Sequence, residues 1–114
     1  MKVKTSELTG PALDWAVAVA DNLLPKHISL NTDLTHPLVL DGIQSYGPSF
    51  IWSQGGPIIE REMLTVGPAK NQGYMAWGWP KANGFWGDTP LIAAMRCFVA
   101  SKLGDEIEIP EELQ

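Results

Sequence analysis

The sequence has few of the residues that build metal sites and disulfides. Its 114 residues include one cysteine, Cys97, and two histidines, His27 and His36. A single cysteine excludes an intramolecular disulfide, and a metal ion needs three or four converging ligands, which this spacing does not offer. We therefore predict no metal and no cofactor. Cys97 lies among apolar residues, where a free thiol usually behaves as a small buried hydrophobe.

Basic residues and long apolar runs are also scarce. Eight Lys and Arg face thirteen Asp and Glu, which gives a net charge of -5. Because phosphate contacts need clustered basic side chains, we expect no direct nucleic-acid binding. No apolar run approaches the roughly 18 to 20 residues that cross a bilayer, and residues 1–7 lack the apolar core of a signal peptide. We expect a cytoplasmic protein without membrane association.

The composition that remains is that of a packed globule. Hydrophobic residues make up 45% of the chain, and its length suits one domain over residues 1–114. Nine of the eleven glycines and six of the nine prolines lie between residues 36 and 90. This distribution predicts helices at both ends and a middle rich in turns.

Both terminal helices have clear boundary signals. Pro11 in a first turn and the spacing of the apolar residues predict a helix over residues 11–24, with Asp14 off its apolar stripe. Asp88 or Thr89 caps a second helix over residues 90–103. That helix is apolar on almost every side, which predicts that other elements cover it on more than one face.

The middle of the chain predicts short strands and turns. Residues 36–42 form an apolar segment closed by an Asp-Gly turn. Gly56 as a cap and Pro57 as a first helical residue favour one or two helical turns, with a strand as the alternative. Residues 63–66 and 74–79 predict a hairpin, and residues 80–87 a loop.

Residues 105–109 predict a short edge strand after the second helix, with an αL stop at Gly104. Together these elements predict an α+β fold, in which a small, mostly antiparallel sheet is packed in layers with N- and C-terminal helices. The order helix, short helix, hairpin, helix also resembles phage domains described as α/β/α sandwiches, which implies the same layered arrangement.

Three blocks of the sequence resemble the NinX family of phage proteins. They are KTSELTG running into ALDWAVA at residues 4–18, GGPIIERE at 55–62, and TPLIAAMRCFV at 89–99, continuing through SKLGDE. The resemblance implies a small accessory protein of tailed phages or prophages. It carries over no catalytic residue.

Aromatic residues mark the surface that the sequence favours for binding. Trp77 and Trp79 alternate along the second hairpin strand, and Phe85 and Trp86 follow in the predicted loop. Such a cluster suits hydrophobic core, a protein interface or a platform for a planar ligand. These four residues are the candidate interaction surface.

The charged residues do not indicate a specific catalytic or binding site. Glu60 and Glu62 favour a solvated edge over an acid/base pair, because nothing in the sequence separates their pKa values. Arg96 interrupts an apolar helix, which predicts an ion pair with Glu60, Glu62 or Asp14, with anion binding as the alternative.

Three functional hypotheses follow. The first is a non-catalytic protein–protein interaction module that binds an unidentified phage or host protein, with possible self-association. The second is a small-ligand-binding protein or enzyme with an aromatic pocket near Trp77, Trp79 and Trp86, polarised by Arg61 or Arg96. The third and weakest is an acidic decoy of DNA that uses residues 105–112.

Overall fold

The computed structural model describes residues 2–22, 28–31, 38–41, 44–78 and 84–113. Within these residues the chain forms three α-helices and eight short strands, which confirms the predicted α+β class. The helices are α1 (Gly10–Ala20), α2 (Trp52–Glu62) and α3 (Pro90–Leu103). The strands are β1 (Lys2–Lys4), β2 (Ile28–Asn31), β3 (Leu38–Asp41), β4 (Gln44–Ser45), β5 (Thr65–Pro68), β6 (Tyr74–Trp77), β7 (Phe85–Gly87) and β8 (Glu106–Glu108).

The strands form three small sheets instead of the single sheet expected. β1 pairs with β8, β2 with β3 and β3 with β4, and β6 lies between β5 and β7. All of these pairings are antiparallel. The predicted edge strand is therefore β8, and its partner is the N-terminal strand, which the sequence pattern did not identify.

Helix α3 is the centre of the molecule. It contacts α1, α2 and all three strands of the β5–β6–β7 sheet, which confirms that it is covered on more than one face. Phe98, Met95 and Val99 are completely buried, and Cys97 is 3% exposed. The Thr89 hydroxyl accepts the amide of Ile92 at 3.1 Å, so this N-cap satisfies one of the free amides of the first turn.

Helix α2 is longer than predicted. It begins at Trp52, so Pro57 lies inside the helix and Gly56 is not its cap. A proline inside a helix removes a main-chain hydrogen bond. Gly55 and Ile58 are buried on either side of Pro57, and this tertiary packing outweighs the local preference of proline for a first turn.

Several boundaries also differ from the predictions. Helix α1 ends at Ala20, and Met63 is a left-handed helix cap at φ 55° instead of a strand residue. Gly104 has φ 90° but ψ −166°, outside the αL region. Residues 85–87, predicted to belong to a loop, form β7.

Asp14 is buried at 2% exposure, contrary to its predicted place on the polar side of α1. His27, His36 and Trp79 lie outside the described residues.

Candidate functional site

The described residues of the predicted aromatic surface lie on both faces of one sheet. In the antiparallel register Met75 lies opposite Trp86, and Ala76 lies opposite Phe85. Paired residues share a face and neighbouring residues alternate. Trp77 and Trp86 are therefore on the face directed away from buried Ala76, and Phe85 is on the face that packs against the core. Phe85 and the two described tryptophans thus lie on opposite faces of the sheet, because residues 85–87 are a strand. That these residues bind a partner stays a prediction.

Trp86 is held in place although its side chain is 42% exposed. Its indole N–H donates to the carbonyl of Gln72 at 2.8 Å, across the β5–β6 hairpin loop. Its ring lies against Gly73, where a Cβ atom would be about 2.5 Å from the ring and where φ is +78°. The hydrogen bond and the ring contact of Trp86 thus hold the hairpin loop against β7.

Arg96 stabilises the main chain instead of forming the predicted ion pair. Its Nε donates to the carbonyl of Leu8 at 2.7 Å, and its NH1 nitrogen donates to the carbonyl of Trp86 at 2.7 Å. Glu60, Glu62 and Asp14 are not its partners among the described residues. Burial lowers the pKa of Arg96, and the nearby charge of Asp88 opposes this effect. The side chain joins β7 to the segment that precedes α1.

Arg61 belongs to a group of ion pairs at the ends of the three helices. It donates to Asp21 at 2.8 Å and to Glu62 at 2.9 Å, and Lys102 lies 3.2 Å from the second oxygen of Glu62. Its guanidinium also lies 5.7 Å from the centre of the Phe98 ring. The hydrogen bond from Arg61 lowers the pKa of Glu62. A carboxylate neutralised in this way is poorly suited to accept or donate a proton near pH 7.

The acids at the end of the chain lie next to lysines. Glu106 and Glu108 of β8 are opposite Lys4 and Lys2 of β1, and all four are exposed. Among the acids and the cysteine of the described residues, no group of three is arranged to hold a metal ion. The β1–β8 pair therefore carries charges of both signs.

Among the described residues, the two most exposed aromatic side chains lie at the start of α2 and just before it. Phe50 is 66% exposed and Trp52 is 58% exposed, both more than Trp86. Trp52 forms one wall of an apolar groove of about 380 Å³ between α2 and β5, which we call the Trp52 groove. It is lined by Trp52, Ile59, Leu64, Val66, Gly67, Pro68, Tyr74 and Pro90.

A smaller groove of about 170 Å³ joins Trp52 to the other exposed ring. It is lined by Phe50, Trp52, Ser49, Thr89, Leu91 and Ile92. Neither groove includes Trp77, Trp86, Arg61 or Arg96 in its lining. These two grooves are therefore separate from the described residues Trp77 and Trp86 of the predicted aromatic pocket.

A buried turn fixes the position of the two exposed rings. The amide of Gly47 donates to the side-chain oxygen of Gln54 at 2.6 Å, and the Gln54 amide group donates to the carbonyl of Ser45 at 2.9 Å. The amide of Ser49 donates to the Asp14 carboxyl at 2.9 Å. Burial raises the pKa of Asp14 to about 6 despite this hydrogen bond. The turn is tied to α1 and α2, so the start of α2 is held rigidly.

Comparison with known proteins gives the family of the chain. A family model described as Bacteriophage P22, NinX matches residues 4–102. The chain belongs to this NinX family. No match was found among curated proteins.

Membership of the NinX family supports a phage accessory protein, in agreement with the resemblance of the three sequence blocks. The matched residues include all of α1 and α2, the β5–β6–β7 sheet and nearly all of α3, and therefore both aromatic regions. None of the described helices of this NinX family member is long and apolar enough to cross a membrane.

The sequence also carries a signal for the Trp52 groove, ahead of the predicted helix start at Gly56. Phe50, Ile51 and Trp52 form an apolar run directly after the turn residues Tyr46–Ser49, and an apolar run at the start of a helix needs a partner or remains exposed. Assigning the start of α2 to Gly56 placed Trp52 in a loop and hid its position on a helix.

Proposed function

We propose that this NinX family member is a non-catalytic accessory protein that binds another protein through the Trp52 groove and the adjacent Phe50 ring. The single observation that carries this proposal is the exposure of two large aromatic side chains beside an apolar groove. Tryptophan and other aromatic anchors that enter or border such grooves commonly supply most of the energy of a protein interface.

Rigidity of the surface also supports the proposal. The buried turn before α2 and the hydrogen bonds of Gln54 fix the main chain that carries Phe50 and Trp52. A surface that is ordered before binding loses less conformational entropy when a partner binds. An exposed aromatic residue on a fixed turn is therefore better suited to binding than one on a flexible loop.

The chemistry of the charged residues favours binding over catalysis. Arg61 is paired with acids, Arg96 donates to two main-chain carbonyls, and Glu62 is neutralised by two cations. A pocket polarised by Arg61 or Arg96 would have to break these interactions. The surface predicted from sequence around Trp77 and Trp86 serves as the comparison in the test below.

The test is site-specific photo-crosslinking during infection. A photoreactive amino acid replaces exposed Ser53, next to Trp52, and in a control chain it replaces exposed Ser101 near the end of α3. We expect the Ser53 position to crosslink a defined phage or host protein and the Ser101 position not to do so. The crosslinked protein is then purified and its affinity measured against Trp52→Ala and Trp86→Ala.

Trp52→Ala should weaken binding of that protein by about 30-fold, the size of an interface hot spot, and Trp86→Ala by less than about threefold. Loss of binding in Trp86→Ala with full binding in Trp52→Ala would instead place the interface on the surface predicted from sequence. Crosslinking from both positions to the same mixture of proteins would contradict a specific interface.

A further inference from the structure

The edge of β5 has main-chain groups that no described element uses. The amide of Ala69 donates to the carbonyl of Gly73 at 2.9 Å, and the register pairs Gly67 with Met75 and Thr65 with Trp77. Hydrogen-bonded pairs alternate along an antiparallel ladder. Thr65 and Gly67 therefore direct their main-chain groups toward β6. Val66 and Pro68 direct theirs away from the sheet.

Val66 is the centre of this free edge. Its N–H and C=O both point away from β6, and within the part of the chain that the structure describes no main-chain partner reaches them. Pro68 offers an outward C=O but has no N–H. The edge thus presents one donor and two acceptors, and proline limits pairing to the neighbourhood of Val66.

The free edge lies beside the Trp52 groove. Val66 and Pro68 line the groove together with Tyr74, and Trp52 and Ile59 of α2 line it from the other side. An added strand would therefore place alternate side chains against an apolar lining while its main chain paired with Val66. These are the two components by which sheet edges recognise extended peptides: main-chain bonds for affinity and a groove for side chains.

We propose that the β5 edge binds an extended, apolar segment of another protein as an additional strand, with its side chains in the Trp52 groove. This inference rests on the proposed function and names the form of its partner. The main-chain donor and acceptors select a polypeptide over a lipid or other apolar molecule. A second copy of this chain fits less well, because a two-fold axis through the site would place one concave groove against another.

Selection from a library of displayed ten-residue peptides provides the probe. We expect the enriched peptides to alternate apolar and polar residues, to lack proline at the centre, and to slow hydrogen exchange of the Val66 amide by at least about tenfold when bound. A library without enriched peptides, or peptides that protect β7 and not β5, would overturn the proposal.

Two substitutions at Val66 separate the contribution of its main-chain N–H to peptide binding from the contribution of its side chain. Val66→Pro removes the outward donor without removing a β5–β6 hydrogen bond, and Val66→Ala keeps the donor and shortens the side chain. We expect Val66→Pro to weaken peptide binding by at least about tenfold and Val66→Ala by less than about threefold. Equal affinity of wild type and Val66→Pro, with both folded by circular dichroism, would contradict strand addition.

The outcomes distinguish this inference from the proposed function. If Trp52→Ala abolishes binding of the crosslinked protein and Val66→Pro does not, the interface stands and strand addition is wrong. If neither variant changes binding, both are wrong. A stable dimer that Val66→Pro converts to a monomer would replace the peptide with a second copy of the chain.

Discussion

At the β7 edge of the central sheet, Arg96 donates to the outward carbonyl of Trp86, and at the β5 edge the outward groups of Val66 have no described partner. The two aromatic residues near these edges differ in the same way. Trp86 donates its indole N–H to the hairpin loop, whereas Trp52 is more exposed and lines an apolar groove. Exposed edges favour pairing with other chains. Here Arg96 closes the outward carbonyl of the β7 edge, whereas the outward groups of the β5 edge have no described partner.

Opening the closed edge should have the largest effect on stability. Arg96→Met keeps most of the apolar stem and removes both hydrogen bonds to the carbonyls of Leu8 and Trp86. A hydrogen bond from a charged donor contributes roughly 1.5 to 3 kcal/mol, so we expect a loss of about 3 kcal/mol in the free energy of unfolding. Urea unfolding of wild type and Arg96→Met measures this loss.

Hydrogen exchange of β7 provides the local measurement for the same variant. The amides of residues 84–87 should exchange faster in Arg96→Met, and those of β5 should change less. A loss below about 1 kcal/mol would mean that the edge is closed by packing and not by the guanidinium.

The next effect concerns the turn that holds Trp52. The pKa of Asp14 is about 6 in the folded protein against an ordinary value of 3.8. Because the folded protein then binds more protons than the unfolded chain between these values, the free energy of unfolding falls as pH rises through this window. From the size of the shift, we expect Asp14 to lower stability by about 2 to 3 kcal/mol between pH 4 and pH 7.

Asp14→Asn tests this dependence. Asparagine retains an oxygen that can accept the amide of Ser49 and has no charge to bury, so the variant should lack this fall and be more stable than wild type at pH 7. Asp14→Ala is the matched control, since it leaves that amide without an acceptor and should be less stable than Asp14→Asn at every pH. If the free energy of unfolding fell equally with pH in wild type and in Asp14→Asn, a group other than Asp14 would cause the fall.

These residues also show which parts of the molecule the sequence could predict. Helices α1 and α3 were predictable because Pro11, Thr89 and Pro90 act within a few residues of the main chain that they organise. The hairpin was predictable for the same reason. The partners of Arg96 were not, because the carbonyls of Leu8 and Trp86 are main-chain groups brought near only by the fold.

Burial reversed two further predictions. Asp14 has the spacing of a surface residue on α1, and only the packing of the turn at Ser49 encloses it. Pro57 has the local preference of a first helical residue, yet α2 extends five residues before it because Gly55 packs against Pro48 and Leu91, where a Cβ atom would collide. Long-range packing decided both positions, and local patterns carry no record of it.

Trp86 should contribute more than Trp52 to the free energy of unfolding, whereas Trp52 should contribute more to partner binding. Trp86→Ala removes the hydrogen bond to Gln72 and the ring that lies against Gly73, so we expect a loss of about 2 kcal/mol. Trp52→Ala removes a ring that is 58% exposed and should cost less than about 1 kcal/mol.

Thermal unfolding of both tryptophan variants measures the difference. Trp86→Phe, which keeps an aromatic ring and loses the N–H, should lie between wild type and Trp86→Ala. If Trp52→Ala were the more destabilising variant, Trp52 would be part of the core and its exposure would not mark an interface.

The smallest effect should come from the other arginine that the sequence singled out. Arg61→Met removes the ion pairs with Asp21 and Glu62, in which the arginine side chain is 49% exposed. Exposed pairs contribute about 0 to 1 kcal/mol and are screened by salt. We therefore expect a loss below about 1 kcal/mol that shrinks further at 1 M salt, against the larger and less salt-sensitive loss in Arg96→Met. Equal losses in the two variants would show that closing the β7 edge contributes no more than a surface ion pair, and the contrast between the two edges would then rest on the free groups of Val66 alone.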